Sequence, residues 1–169
     1  MTQAADINPV KNLADVELSD WQHGEKYSAK IGSFAKTIGL QKLGCMLTVV
    51  PPGKAAFPYH AHHANDEMFL IVQGSGEYRF GGKTFPLREG DVVSAPAGGL
   101  EAAHQIINTG SEEMRYLGIS TTIWPEAVEY PDSKKFAVYS QPHPSGERAK
   151  AGLRFIGRRE MMINYWDGE

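Results

Sequence analysis

Between residues 43 and 120 the chain is cut into short runs by glycine and proline, and this punctuation restricts its fold more than any other feature. The 18 glycines and 10 prolines among 169 residues exceed ordinary usage, and many stand in pairs such as Pro51-Pro52, Gly81-Gly82 and Gly98-Gly99. The runs between them alternate in polarity or are rich in β-branched and aromatic residues. They are Leu43 to Val50, Glu67 to Val72, Glu77 to Phe80, Lys83 to Leu87, Asp91 to Ser94, His104 to Ile107 and Arg115 to Ser120. Seven such runs in about eighty residues predict an all-β sandwich or barrel. Gly81-Gly82 predicts a hairpin, because a two-residue primed turn needs positive φ at both central positions. Pro86 has no N–H for a ladder, so the second hairpin arm is an edge strand or ends there.

The flanks carry weaker patterns. Residues 1–42 show no sustained helical period and read as an N-terminal arm of added strands and loops. Phe34 to Leu43 offers one helical turn, without the second amphipathic helix that a helix-turn-helix requires. After Trp124-Pro125 the chain reads as loop through Tyr130-Pro131-Asp132 and Gln141 to Gly146, followed by a last segment from Leu153 to Trp166. The expected organisation is one domain over 1–169, with its barrel core at about 43–120 and a C-terminal extension from 121 to 169.

Charge and hydropathy narrow the partners. With 17 Lys and Arg against 20 Asp and Glu, and no basic cluster longer than Arg158-Arg159, nucleic acid is not an expected partner. The longest apolar run, Met68 to Val72, is far short of the ~20 residues of a membrane-spanning helix. Met1 to Val10 lacks the basic-then-apolar order of a secretion leader, and the single Cys45 cannot form an internal disulfide. The expected location is therefore the cytoplasm, with no membrane partner.

Chemistry concentrates in the histidines. Three of the six fall at His60, His62 and His63, with Glu67 close behind and His104 on a later strand. Residues two apart on an extended chain share a face, so His60 and His62 aim at one point while His63 points away. A kink at Ala61 would instead bring His63 in. Glu67 opens the next strand and returns a carboxylate to the same point, with Asp66 as its competitor, and His104 completes three nitrogens and one oxygen. Such a set suits one divalent transition metal, Fe, Mn, Ni, Co, Cu or Zn, and in six-coordination leaves two positions open for a chelating small molecule.

These residues carry a resemblance. Gly53, His60-x-His62, four residues, Glu67, six residues and Gly74 are similar to the first cupin motif. Gly90, five residues, Pro96-x-Gly98, then His104, three residues and Asn108 are similar to the second. Six residues separate Gly53 from His60 and five separate Gly98 from His104, so the loops at the mouth are slightly long for the pattern. The runs KLG, PPGKAAFPYHAHHANDEMF, EYPDSKK and the ending YWDGE extend the resemblance to single-domain bacterial cupins, some of them labelled sugar-phosphate isomerases. It implies a small antiparallel β-barrel of the jelly-roll, double-stranded β-helix type, a homodimer, and a metal held by His60, His62, Glu67 and His104.

Other residues carry lesser expectations. Glu101, three before His104, and His63 are the candidate acid or base groups. Arg79 and Arg115 are candidates for holding a phosphate. Met46, Met68, Phe69, Phe80 and Phe85 read as barrel core, and Trp124, Tyr165 and Trp166 as core plugs or interface. His23 and His143 read as ordinary loop histidines and Cys45 as an inert thiol. Three functions fit: isomerase or epimerase chemistry on a sugar or sugar phosphate, a non-haem iron dioxygenase, and a non-catalytic binding or sensing module.

Overall fold

In the computed structural model, which describes residues 7–141 and 152–169, alternation along each strand decides what is buried. The strands are β1 (Ser19–His23), β2 (Tyr27–Ser33), β3 (Leu43–Val50), β4 (Ala61–His62), β5 (Glu67–Gln73), β6 (Ser75–Phe80) and β7 (Lys83–Arg88). They continue with β8 (Val92–Ala95), β9 (His104–Ile107), β10 (Met114–Thr121), β11 (Glu126–Tyr130), β12 (Lys135–Tyr139) and β13 (Arg154–Arg158). One six-stranded sheet has the order β1-β2-β3-β10-β5-β8. Facing it are β7-β6-β9 and β13-β12-β11-β4, joined by the antiparallel bridge between His60 and His104. All strand pairs are antiparallel. The result is a jelly-roll sandwich of two facing layers, and no closed barrel is found among the described residues.

The core runs between the layers through Val50, Phe69, Ile71, Tyr78, Leu87, Ile106, Met114 and Tyr116. The predicted hairpin is present: Phe80 faces Lys83 across Gly81 (φ 54°) and Gly82 (φ 79°), both in the conformation that glycine adopts without strain. Pro86 lies within β7, which is the edge of its sheet, so its missing N–H costs no ladder bond. The N-terminal arm forms β1 and β2 and packs Val16 and Phe34 against Leu47 and Val49 on the outer face of β3. Gly32 makes that close approach possible, since a Cβ there would meet the Glu17 carbonyl and the Val16 side chain.

Three expectations change. The stretch after Trp124-Pro125 is not loop: β11 and β12 form a hairpin whose first strand pairs with β4, burying Glu126, Val128 and Ala137. Met68 (41% exposed) and Phe85 (45%) are not core, because alternation turns Met68 away from inward-facing Phe69, and Phe85 lies on the edge strand. Of the two readings for Trp124, Tyr165 and Trp166, the core plug falls, since they are 39%, 84% and 73% exposed. Phe34–Leu43 forms only a short 3-10 turn, Ala35–Ile38. His143 lies outside the described residues, and His23 is exposed at the end of β1. Among the described residues no helix is long and apolar enough to cross a membrane.

Candidate metal centre

Strand pairing brings the predicted residues to one mouth of the sandwich. His60 and His104 are directly opposite, each donating its backbone N–H to the other's carbonyl at 3.1 and 2.7 Å, so their side chains share a face. His62 lies two residues on in β4, and Glu67 opens β5 on the facing layer. The Nε2 atoms of His104, His62 and His60 stand 2.9, 3.5 and 4.0 Å from Glu67 Oε2. One ligand atom from each of His60, His62 and Glu67 falls within 4.8 Å of the others, the spacing of groups that could hold one metal ion.

The opposite ring nitrogens explain why the three imidazoles point this way. His60 Nδ1 lies 2.7 Å from the Pro58 carbonyl, His62 Nδ1 3.3 Å from Glu126 Oε2, and His104 Nδ1 3.3 Å from the Ala102 carbonyl. For His60 and His62 the partner oxygen is an acceptor, so Nδ1 carries the hydrogen and leaves the Nε2 lone pair facing the cluster, whereas His104 donates from Nε2 to Glu67 Oε2 at 2.9 Å. Such tautomer control is how proteins prepare histidine for a cation.

Burial and neighbouring charge move the groups of the cluster in different directions. Burial and the neighbouring His104 and His62 pull the His60 pKa down to about 3, which keeps its lone pair free. For His62, burial lowers the value, but the hydrogen bond to Glu126 and the charges of Glu67 and Glu126 outweigh it and raise it. For Glu67, burial raises the value, but the hydrogen bond from His104 and the surrounding histidines hold it below the usual carboxylate range. Glu67 is thus an anion among imidazoles, half-covered and accessible from one side.

Glu126 is the residue that sequence reasoning missed. It is 4% exposed and accepts from the backbone N–H groups of His63 and Ala64 at 3.1 Å each, from the Asn65 amide and from His62. These donors overcome the burial that would raise its pKa and leave it lowered. Asn65 in turn accepts from Thr121 Oγ1 and from the Ile123 N–H, which locks the turn between β4 and β5 to the end of β10. The alternation of Glu126 to Val128 was the available signal, but nothing in it marked Glu126 as facing inward.

The remaining candidates stand apart. His63 is 42% exposed with Nε2 3.4 Å from Glu129, and Glu101 is exposed, accepting from the Gly99 N–H at 2.9 Å. Asp66 accepts from the Ala97 N–H at 2.8 Å and braces a loop, while its neighbour Glu67 enters the cluster. Arg79 is held by Asp132 and Gln105 with its guanidinium 4.1 Å over the Tyr59 ring, and Arg115 pairs with Glu113. Burial raises the pKa of half-buried Cys45, in line with an unreactive thiol.

A cleft of about 600 Å³ opens beside Glu67 over the inner face of the six-stranded sheet. Its floor includes the cross-strand row Gly44, Ser120, Glu67 and the row Met46, Gly118, Phe69. Its size lies within the range of small-molecule sites.

Residues 46–120 match the family model of the cupin domain. An oxalate-binding protein of Thermotoga maritima is 31% identical over 70 residues, 41% of this chain and 54% of that protein, so the chain spans about half the length of this curated relative. A structure from Acidithiobacillus ferrooxidans, provisionally named a sugar phosphate isomerase, superposes with a TM-score of 0.76 at 22% identity, covering 92% of this chain and 96% of the other. A second, a sugar phosphate isomerase from a cupin superfamily of Silicibacter pomeroyi, gives 0.74 at 19% identity, covering 94% and 98%. At such identities the likeness is one of fold.

Proposed function

We propose that this chain, whose residues 46–120 match the cupin-domain model, is a metal-dependent cupin acting on a small, chelating, anionic molecule, with isomerase or epimerase chemistry on a sugar phosphate. The observation that carries the reading is the convergence of three Nε2 atoms on Glu67 Oε2, with His60 and His62 anchored through Nδ1 to oxygen acceptors. His60, His62, Glu67 and His104 would hold one divalent ion, whose net charge with a single carboxylate stays positive and favours an anionic substrate. Once bound, the ion supplies Lewis acidity that polarises a carbonyl and its neighbouring hydroxyl.

The protein's own groups do the rest. Glu126 holds His62 in the tautomer and orientation that present Nε2. The bond from His104 Nε2 to Glu67 Oε2 keeps that carboxylate aimed at the mouth and gives way when a cation takes its place. The cleft over Gly44, Gly118 and Ser120 gives the substrate a partly apolar bed with its reactive end at Glu67. The names of the two similar structures support the substrate class.

Elemental analysis of protein purified without chelator tests the centre, and about one transition metal per chain is expected. Failure to retain or take up any of Fe, Mn, Ni, Co, Cu or Zn would overturn it. The reaction is tested by incubating metal-loaded protein with aldose and ketose phosphates and following interconversion by NMR. Oxygen uptake by the ferrous form without interconversion would assign dioxygenase chemistry instead. Ligand binding without any turnover would assign a sensing module.

A further inference from the structure

The cleft that begins at Glu67 ends at a lysine. Its far rim is the connection between β2 and β3, where Lys36 lies on the short 3-10 turn Ala35–Ile38 with Ser33 and Gln41 beside it. Lys36 and Glu67 are the charged residues among those lining the cleft. Among the described residues Lys36 makes no ion pair, whereas Arg79 and Arg115 are each paired with a carboxylate. From Glu67 on β5 the row runs across Ser120 on β10 to Gly44 on β3, two strand spacings or about 10 Å, with Lys36 beyond it on the β2 side. The row itself carries only the small residues Ser120 and Gly44 between its ends, and Gly118 lines the cleft on the next row.

We propose that Lys36 is the anion-recognising residue of this cleft, and that the substrate carries metal-chelating oxygens at one end and a phosphate monoester at the other. The inference rests on the metal-centre reading above for the chelating end only. A lysine ammonium is a compact charge suited to phosphate, and its three N–H donors form charge-assisted bonds with phosphate oxygens. The Ser33 hydroxyl and the Gln41 amide offer further donors at the same rim. The substrate class that follows is an open-chain sugar phosphate of about five carbons, which bridges the span between the two charged ends.

The test is calorimetric titration of manganese-loaded protein with 5-phospho-D-arabinonate and with D-arabinonate, which share a chelating hydroxy-acid end and differ in the phosphate. The wild-type protein is expected to bind the phosphorylated acid about tenfold or more tightly. Lys36→Gln should reduce that preference to less than twofold while leaving D-arabinonate affinity and metal content unchanged, and Lys36→Arg should keep most of it. An equal preference in Lys36→Gln, or none in the wild type, would overturn the inference. A preference that is lost in Lys36→Gln, together with D-arabinonate binding that is indifferent to metal, would uphold the role of Lys36 and overturn the metal centre instead.

Discussion

On its outer face the six-stranded sheet buries Leu47 and Val49 beneath Val16 and Phe34, an apolar contact sealed by the N-terminal arm. On its inner face the same strands grade from Val50, Ile71, Met114 and Tyr116 at one end to Glu67, Gly118 and Gly44 at the other, where the histidines and the cleft lie. Both faces come from one alternating pattern, odd residues of β3 outward and even residues inward. The difference teaches that stability and chemistry are separated by the sheet itself. The closed face contributes apolar packing through Val16, Phe34, Leu47 and Val49, while the open face carries the imidazoles and the cleft.

That separation can be broken or sharpened by substitution. The largest effect is expected from His62→Ala, which should cut bound metal from about one per chain to under a tenth, read by elemental analysis, and lower the thermal midpoint of the as-purified protein. Metal-free wild type and metal-free His62→Ala should differ far less, since the loss is of ligand and not of packing. Next, Leu47→Ala on the closed face should cost about 2–5 kcal/mol in urea unfolding while metal per chain stays the same. A parallel loss of metal would show that the two faces are coupled.

Glu126→Gln should weaken metal affinity by about 10–100-fold in competition with a chelator, because the His62 ring loses its charged anchor. The same variant should alter the pH dependence of the metal-free protein. The Glu126 value is lowered in the fold, so its contribution is present above the ordinary carboxylate value of 4.5 and is lost as pH falls below it. The His62 value is raised, so its contribution is present below the ordinary 6.5 and is lost as pH rises through the folded value. Stability from this pair should therefore be greatest between pH 4.5 and 6.5, and Glu126→Gln should flatten that maximum in denaturant titrations across pH. The smallest effect is expected from His63→Ala, with metal content unchanged and stability within about 0.5 kcal/mol, since this side chain is exposed.

Much of this was legible in the sequence because it is encoded locally. Period-two alternation placed Leu43–Val50 and His104–Ile107 at their observed bounds, and the paired glycines located the β6–β7 hairpin. The same alternation put His60 and His62 on one face and His63 on the other, as the structure has them. Where the pattern was read without phase it misled: Met68 and Phe85 are apolar yet point outward. Glu129 and Tyr130, which read as loop, belong to a strand because β4 and β12 pair with it, and a pairing partner is not a local property.

By itself the sequence determined the strand periodicity, the main hairpin, and a set of imidazole and carboxylate groups spaced to meet at one point, all consequences of backbone geometry over a few residues. Only the tertiary structure decided which acceptor holds each Nδ1, that Glu126 from the C-terminal hairpin anchors His62, and that Lys36 from the N-terminal arm closes the far end of the cleft. The Pro58 and Ala102 acceptors lie two residues from their histidines, but Glu126 lies 64 positions from His62, and Lys36 is likewise remote in sequence from Glu67. The geometry of those distant placements depends on how two sheets face each other, and no short-range propensity records it.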